Sequence, residues 1–337
     1  MGSTNRAVYI GTAEGLYAAE LNGGLAAPRI LGLQGKGGMR CPVVIDRGDP
    51  RRLYAGTAQA GVFRSEDGGT SWREINEGII YKEIWWIEQH PKTGELYAGT
   101  GPASVFKSVD GGDTWTDCPQ LRSLPETKEW TFPPPPHIAH VKGLALTPDD
   151  PTRIFGAVEE GWIIRSTDGG TTWEDIKAGT EFDSHSVAVM PDDPRVVIST
   201  SGTGIYKSID GGDRFTDANA GMTEHYMTQI AVHPSRPKVL LTAAAAVPPP
   251  GWRRPQGAEA GFYRSADQGE SWERLRGGVP EHIPAAPRFV AGDSDKADRF
   301  LIGMNDGSVW MTDDCGESFR TALSGLPPVT SLRVAGQ

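Results

Sequence analysis

One short motif recurs six times along the sequence and limits what the chain can fold into. The clearest copy, Ser166–Trp173, reads Ser-Thr-Asp-Gly-Gly-Thr-Thr-Trp, and the shared pattern is Ser-x-Asp-Gly-Gly-x-Ser/Thr-Trp/Phe. The other copies, the last of them degenerate, begin at Ser65, Ser108, Ser208, Ser265 and Thr312. Each copy follows an alternating apolar run, and Asp followed by Gly supplies the hydrogen bonds and the positive φ of a hairpin turn. A repeat of this period predicts an array of antiparallel hairpins.

The apolar runs between the motifs indicate the number of repeats. Seven runs serve as second strands, from Val8–Thr12 to Phe300–Met304, and seven as third strands, from Gly15–Ala19 to Ser308–Thr312. First strands appear only six times in order, and the seventh is Val329–Val334 at the far end. A closed ring explains this count, because the last strand then completes the first sheet and few sheet edges remain. The sequence therefore predicts an all-β, seven-bladed β-propeller, a single domain over residues 1–337.

Two of the repeats carry insertions. Successive motif aspartates lie 42 to 47 residues apart in the ordinary repeats, but 58 and 57 residues apart where segments 119–138 and 246–260 intervene. Segment 119–138 joins two blades, whereas segment 246–260 joins the second and third strands of one blade. In an up-and-down blade these two kinds of connection emerge on the same face. We therefore expect both insertions on one face, opposite to the Asp-Gly-Gly turns.

The charge balance and the cysteines narrow the class of protein. With 33 basic and 43 acidic residues the formal net charge is -10, which argues against a nucleic-acid-binding protein. Cys41, Cys118 and Cys315 are odd in number and lack Cys-x-x-Cys spacing, so reduced thiols are expected. The first residues contain no apolar signal core, so no signal peptide is expected, and no apolar run is long enough to span a bilayer. We expect a soluble, cytoplasmic protein with no membrane partner.

The repeated motif resembles the Asp-box, or BNR repeat, of sialidase-like propellers, and the resemblance covers nearly the whole chain. In that family the boxes are structural turns away from the active site, and the family includes sialidases and the xyloglucanases with their seven-bladed units. Sialidases carry Arg-Ile-Pro near the start, whereas this chain has Pro28-Arg29-Ile30 and seven predicted blades. The resemblance thus implies an Asp-box propeller that is not a true sialidase. The aspartates given a structural role are Asp67, Asp110, Asp168, Asp210, Asp267 and Asp314.

Histidines and carboxylates gather at the start of several inner strands, on the face expected to carry the insertions. A propeller directs such positions towards its axis, so a polar pocket is predicted there. The candidate catalytic residues are His140, His185, His225, Glu83 and Asp183. The three histidines are also the candidate ligands of one divalent metal on the axis. Glu83 with Asp183, or Glu159 with Glu160, offers the carboxylate pair of a glycosidase. For Glu159 and Glu160 the pattern favours exposed surface acids, and the first positions of the inner strands are also expected to be exposed.

Arginines and aromatic residues on the same face are candidates for binding substrate. They are Arg40, Tyr226, Trp252, Arg253 and Arg288. These assignments favour an enzyme, a hydrolase or a lyase, that acts on a carbohydrate or another polar small molecule. The alternative is a propeller without catalytic activity that docks a protein partner through the face with the two insertions, since Trp252 with its arginines suits a protein contact equally well.

Overall fold

The protein is described here by a computed structural model, and the structure describes residues 6–336. Nearly all of the regular structure is β-strand. The first fifteen strands are β1 (Arg6–Thr12), β2 (Gly15–Leu21), β3 (Arg29–Gly32), β4 (Val44–Ile45), β5 (Leu53–Thr57), β6 (Gly61–Ser65), β7 (Arg73–Glu74), β8 (Glu83–Gln89), β9 (Leu96–Gly101), β10 (Ser104–Ser108), β11 (Thr116–Asp117), β12 (His140–Leu146), β13 (Ile154–Glu159), β14 (Ile163–Ser166) and β15 (Glu174–Ile176).

The remaining strands repeat the same order of long inner strands and short outer ones. They are β16 (Ser184–Val189), β17 (Val197–Ser201), β18 (Gly204–Ser208), β19 (Thr216–Asp217), β20 (Tyr226–Val232), β21 (Leu240–Ala245), β22 (Gly261–Ser265), β23 (Glu273–Leu275), β24 (Pro287–Gly292), β25 (Phe300–Met304), β26 (Val309–Thr312), β27 (Arg320–Leu323) and β28 (Val329–Val334). The helical segments among the described residues are three short 3-10 helices, Pro119–Ser123, Pro125–Lys128 and Pro249–Arg253.

The strands form seven four-stranded antiparallel sheets, and the predicted β-propeller is confirmed. Blade 1 has the order β28-β1-β2-β3, and blades 2 to 7 are β4–β7, β8–β11, β12–β15, β16–β19, β20–β23 and β24–β27. The predicted pairing of the last strand with the first is also confirmed, with Val8 opposite Val334 and Ile10 opposite Leu332. Blade 2 departs from the expectation because its inner strand β4 contains only two residues.

By contact density the chain divides into two compact units. The first contains the described residues up to Val43 together with those from Asn219 onwards, and thus blades 1, 6 and 7. The second spans Val44–Ala218 and contains blades 2 to 5. Both units contain strands that are buried on both faces. For example, β5 and β9 in the second unit and β25 in the first are buried at every position. Strands enclosed by neighbouring sheets need such continuous apolar or small residues.

The Asp-Gly-Gly turns have the hydrogen bonds expected of them. In blade 4, Asp168 Oδ1 accepts bonds from Ser166 Oγ at 2.9 Å and from the Thr172 amide at 2.8 Å. Gly169 and Gly170 have φ values of 72° and 92°, which only glycine adopts without strain. The motif aromatic Trp173 is buried, whereas its counterpart Trp72 in blade 2 is half-exposed. The turns therefore close the hairpins, and most of them place an aromatic ring in the core.

Segment 119–138, called the strap below, is bound to blades 3 and 4. Arg122 donates to the side chains of Asp117 and Ser104, both at 2.7 Å, and Gln120 Oε1 accepts a bond from the Trp173 amide at 2.6 Å. The second insertion, 246–260, packs through Ala258 on Ala245 and Ala286 in the first unit. Among the described residues, no helix is long and apolar enough to cross a membrane.

Candidate functional site

Several of the predicted site residues meet in the second unit, where blades 4 and 5 begin. His140 opens β12 and lies opposite Glu159, the last residue of β13, in the antiparallel register. His185 is the second residue of β16, and Asp183 comes directly before that strand. Lys142 in β12 completes the group. We call His140, Lys142, Glu159, Asp183 and His185 the acid–histidine cluster.

Glu159 is the centre of the cluster. Its Oε2 lies 2.7 Å from His140 Nε2, and its Oε1 lies 2.8 Å from Lys142 Nζ and 3.8 Å from His185 Nε2. His185 Nε2 in turn lies 3.0 Å from Asp183 Oδ1. Burial alone raises the pKa of Glu159, but the charge of Lys142 and the hydrogen bond with His140 outweigh it, so that this pKa lies well below its usual range. Glu159 is therefore a buried carboxylate held in the ionised form.

The histidines lie deeper than the sequence indicates. The first positions of the inner strands were expected to be exposed, and Glu159 was expected at the surface, but His140 and His185 are each 1% exposed and Glu159 is 7% exposed. The reason is an aromatic cover. The Trp85 ring stacks on the His140 ring with centroids 3.4 Å apart, and Phe132 of the strap packs edge-on at 4.7 Å. These expectations of exposure are wrong.

Glu160 lies beside the cluster in the turn between β13 and β14. Burial, and then the negative charges of Asp183 and Glu159, raise its pKa. Glu160 and Trp162 have φ values of 53° and 61°, the left-handed region that favours glycine. Residues held in such conformations often belong to functional sites, because the surrounding structure must compensate for the strain. The two consecutive glutamates thus have pKa values shifted in opposite directions.

Glu83 extends the site towards blade 3. It opens β8 opposite Gly101, and a Cβ atom at Gly101 would lie 2.8 Å from Glu83 Oε2 and 2.9 Å from Trp85 Nε1. The glycine therefore leaves the space that these two side chains fill. Since Trp85 stacks on His140, Glu83 is one aromatic ring away from the cluster.

The histidines do not form the predicted metal site within one unit. His140 and His185 are in the second unit, whereas His225 precedes β20 in the first. The donor atoms that come within 4.8 Å of one another in the cluster are those of Glu159, Asp183 and His185. The ammonium group of Lys142 already supplies positive charge 2.8 Å from Glu159, where a metal would otherwise do so. This donor set fits a metal poorly.

In the first unit, three of the predicted substrate-binding residues come together. The Trp252 ring packs edge-on against Tyr226 with centroids 5.9 Å apart, and the Arg288 guanidinium lies 5.5 Å from the Trp252 centroid. Trp252 Nε1 donates to the Val247 carbonyl at 2.7 Å, which fixes the ring within its own insertion. Arg253 and Arg40 are exposed and do not take part in this group.

A second group of metal-ligand types consists of His233, Asp298 and Cys315, of which Asp298 and Cys315 line a cavity of about 650 Å³ in the first unit. His233 Nδ1 accepts backbone N–H bonds from Ser235 at 3.3 Å and from Arg236 at 3.1 Å. His233 Nε2 lies 3.1 Å from Asp298 Oδ1 and 2.7 Å from Arg236 Nη2, and the Arg236 guanidinium also pairs with Asp298. The positive charge of Arg236 thus already lies within hydrogen-bond distance of both His233 and Asp298, so this donor set fits a metal poorly.

Sequence reasoning missed Lys142 and the central role of Glu159. No motif marks Lys142, which is one of many lysines. A signal for Glu159 does exist in the sequence. At the position equivalent to Glu159, where the second strand ends, the other six repeats have a small or neutral residue. Those residues are Ala13, Ala58, Gly101, Gly202, Ala245 and Asn305.

Comparison with known proteins supports the fold alone. No model of a protein family matches the sequence, and no curated protein matches it. Among solved structures, an ancestral GH74 enzyme superposes with a TM-score of 0.66 at 16% identity, covering 84% of this chain and 38% of that one. YCF48 from Cyanidioschyzon merolae gives 0.56 at 16% identity, covering 84% and 86%. A presumed 6-phosphogluconolactonase from Bacteroides fragilis gives 0.65 at 9% identity, covering 99% of both chains. The chain thus spans less than half the length of the GH74 enzyme, and it shares a propeller fold with enzymes and with YCF48.

Proposed function

We propose that this propeller is a hydrolase whose acid–histidine cluster, with Glu160 and Glu83, cleaves a glycosidic bond in a carbohydrate. The observation that carries the proposal is the opposite shift of two consecutive glutamates: the pKa of Glu160 is raised and that of Glu159 is lowered well below its usual range. Carboxyl groups whose environments separate their pKa values in this way provide the acid and the anion of glycosidic cleavage. The GH74 neighbour is a carbohydrate-acting enzyme by name and is compatible with this class.

Glu160 and Asp183, which are half-buried, are assigned the chemical roles. Glu160 in its protonated form donates a proton to the leaving oxygen. Asp183, whose side chain is 31% exposed, accepts a proton from the water that attacks the anomeric carbon. His185 is a positioning residue that holds Asp183 at 3.0 Å, and His140 with Lys142 holds the buried Glu159 anion, which favours the proton on Glu160. Glu83 is proposed as a further polar contact, and the assignment of Tyr226, Trp252 and Arg288 in the first unit as substrate-binding residues stays a separate prediction.

The test is hydrolysis of a panel of 4-nitrophenyl glycosides and of oligosaccharides followed by new reducing ends. Removing a general acid or base costs about 10²–10⁴ in rate. We expect Glu160→Gln and Asp183→Asn to lose that factor with an unchanged melting temperature. Asp192→Asn, an exposed carboxylate at the other end of β16, is the matched control and should keep full activity. The rate should fall as the pH rises through the pKa of Glu160, because the acid must be protonated.

The alternative proposal is a docking propeller. The observation that favours it is the surface of the second insertion, where Pro249, Pro250, Arg253 and Arg254 are exposed. Docking is supported if the wild-type protein neither hydrolyses nor binds any member of the panel but does retain a protein partner. The double variant Arg253→Ala/Arg254→Ala should then lose that partner. The Asp-box family assignment and a cytoplasmic location remain predictions that accompany both proposals.

A further inference from the structure

The strap is bound to the outermost strand of blade 4 and its two flanking residues at three alternate positions. Gln120 bonds to the Trp173 amide, Trp130 lies against Asp175, and Glu129 pairs with Lys177 Nζ at 3.2 Å. The contact at Trp173 is made by its backbone, whereas the side chains of residues 175 and 177 alternate with that of residue 176. The strap therefore covers one side of this edge, and Asp175 is the middle of its three contacts.

Asp175 is the weak contact of the three. Both of its carboxylate oxygens are buried, as is Trp130 Nε1, and among the described residues none of these atoms makes a hydrogen bond of standard geometry. Burial raises the pKa of Asp175 to about 7; Lys177 and the nearby indole N–H of Trp130 offset part of this effect, whereas Glu126 and Glu129 add to it. Across β14 the residue opposite Asp175 is the apolar Ile164, and Arg165 pairs with Glu174 at 2.8 Å. An ionised Asp175 would thus face two strap carboxylates with one lysine to balance them.

The strap residues next to Trp130 contact the candidate site. The Thr131 amide donates to the Glu160 carbonyl at 3.1 Å, and the Phe132 ring covers the His140 ring at 4.7 Å. Trp130 itself lies 3.0 Å from the position of a Cβ atom at Gly161. Three consecutive residues therefore connect the contact at Asp175 with the cover of the acid–histidine cluster.

We propose that the strap is a lid over the acid–histidine cluster, closed while Asp175 is neutral and released when Asp175 ionises. The sign follows from linkage. A carboxyl group whose pKa is higher in the closed state than its ordinary value favours closure at low pH; this contribution is complete below about pH 4 and is lost as the pH rises to about 7. In the closed state Phe132 excludes water from His140 and the strap holds the Glu160 turn. The role of the lid in catalysis rests on the proposed function, whereas its opening does not.

The test is amide hydrogen exchange of peptides within residues 124–132 between pH 4.5 and pH 8, with exchange times scaled to the intrinsic rate at each pH. We expect protection in the wild-type protein to fall by on the order of tenfold per pH unit between about pH 4 and pH 7, and to level off above about pH 7, where Asp175 is ionised in both states. Asp175→Asn, which keeps the neutral shape, should show constant protection. Asp217→Asn is the matched control, because Asp217 occupies the same position in blade 5 but is exposed and uncovered by the strap; it should respond as the wild type does.

If Asp175→Asn does not fold, a second variant tests the proposal. Trp130→Phe removes the N–H that lowers the pKa of Asp175, so the pH at which protection levels off should move to a higher value. Protection that is equal at pH 4.5 and pH 7.5 in the wild type, or that falls equally in Asp175→Asn, overturns the proposal. If the strap opens as Asp175 ionises but the protein has no glycosidase activity, the lid proposal stands and the proposed function is wrong.

Discussion

Arg165 in blade 4 donates a hydrogen bond from Nη1 to the backbone carbonyl of Gly211, in the turn of blade 5, over 3.0 Å. The same bond joins Arg264 to the Cys315 carbonyl at 3.1 Å in the first unit. The residue before the first serine of the motif is Arg or Lys in five of the six copies. In the copies where this residue is an arginine, Arg64 among them, it therefore fastens the turn of one blade to the next, a role that the hairpin interpretation of the motif does not include.

Replacing Arg165 should weaken this link between blades. Arg165→Ala removes bonds to Gly211, Asp213 and Glu174, and we expect the unfolding free energy to fall by about 1–3 kcal/mol. Arg165→Lys should recover only part of this, because an ammonium group cannot replace the planar fork. Arg195→Ala, at an exposed arginine paired only locally with Asp193, is the control for urea titration. Equal midpoints for Arg165→Ala and Arg195→Ala would contradict the role assigned here.

The loss of stability on replacing the aromatic residue of the motif should increase with the burial of its ring. Trp173 is 4% exposed, so Trp173→Ala should cost about 3–5 kcal/mol of unfolding free energy. Asp168→Ala should cost less, about 1–3 kcal/mol, through lost turn hydrogen bonds. Trp72→Ala, at a half-exposed ring in the same position of blade 2, should be milder than Trp173→Ala in thermal denaturation. A selective loss of activity in a stable Asp168 variant would show that the turns have a function beyond structure.

The buried carboxylate should make stability depend on acid pH. The pKa of Glu159 is lower in the folded protein than in the unfolded chain, so its contribution is complete above about pH 4.5 and is lost as the pH falls through the folded value. Glu159→Gln should remove this pH dependence and cost about 3–5 kcal/mol near neutrality, because Lys142 and the histidines lose their buried counter-charge. Urea titrations at several pH values measure both effects, with Glu160→Gln as the control. Parallel pH curves for the wild type and Glu159→Gln would show that Glu159 is not the group concerned.

Much of the fold could be predicted from the sequence, because the repeat places each turn and strand by local rules. The motif residues Asp168 and Gly170 predict a turn with little help from the rest of the chain, and the missing first strand predicts the partner of Val329–Val334. The burial of His140 could not be predicted in the same way. It depends on Trp85 from another blade and on Phe132 from the strap, which are 55 and 8 residues away in sequence and meet His140 only after folding. The contact of Lys142 with Glu159 likewise follows from a register that no local pattern reveals.

The closing strand should be essential for stability. A chain that ends after Pro328 lacks β28, so β1 loses its inner partner, and the bond from Ser331 Oγ to the Cys41 carbonyl at 2.8 Å is also lost. We expect a sharp fall in the melting temperature, because the inner edge of β1 becomes exposed. Ending the chain after Val334 keeps the whole strand and is the control. Equal melting curves for the two shortened chains would exclude the closure described above.

The pairing of β28 with β1 also sets the order of events during synthesis. Arg6 Nε donates to the Ala335 carbonyl, a partner 329 residues further along the chain. Blades 2 to 7 are each continuous in sequence and can fold as they leave the ribosome, but blade 1 has to wait until β28 has been synthesised. Throughout that interval the inner edge of β1 is unpaired and open to another nascent chain. The last step of folding is thus a long-range closure, and the time until it occurs is the period in which this protein is most exposed to misassembly.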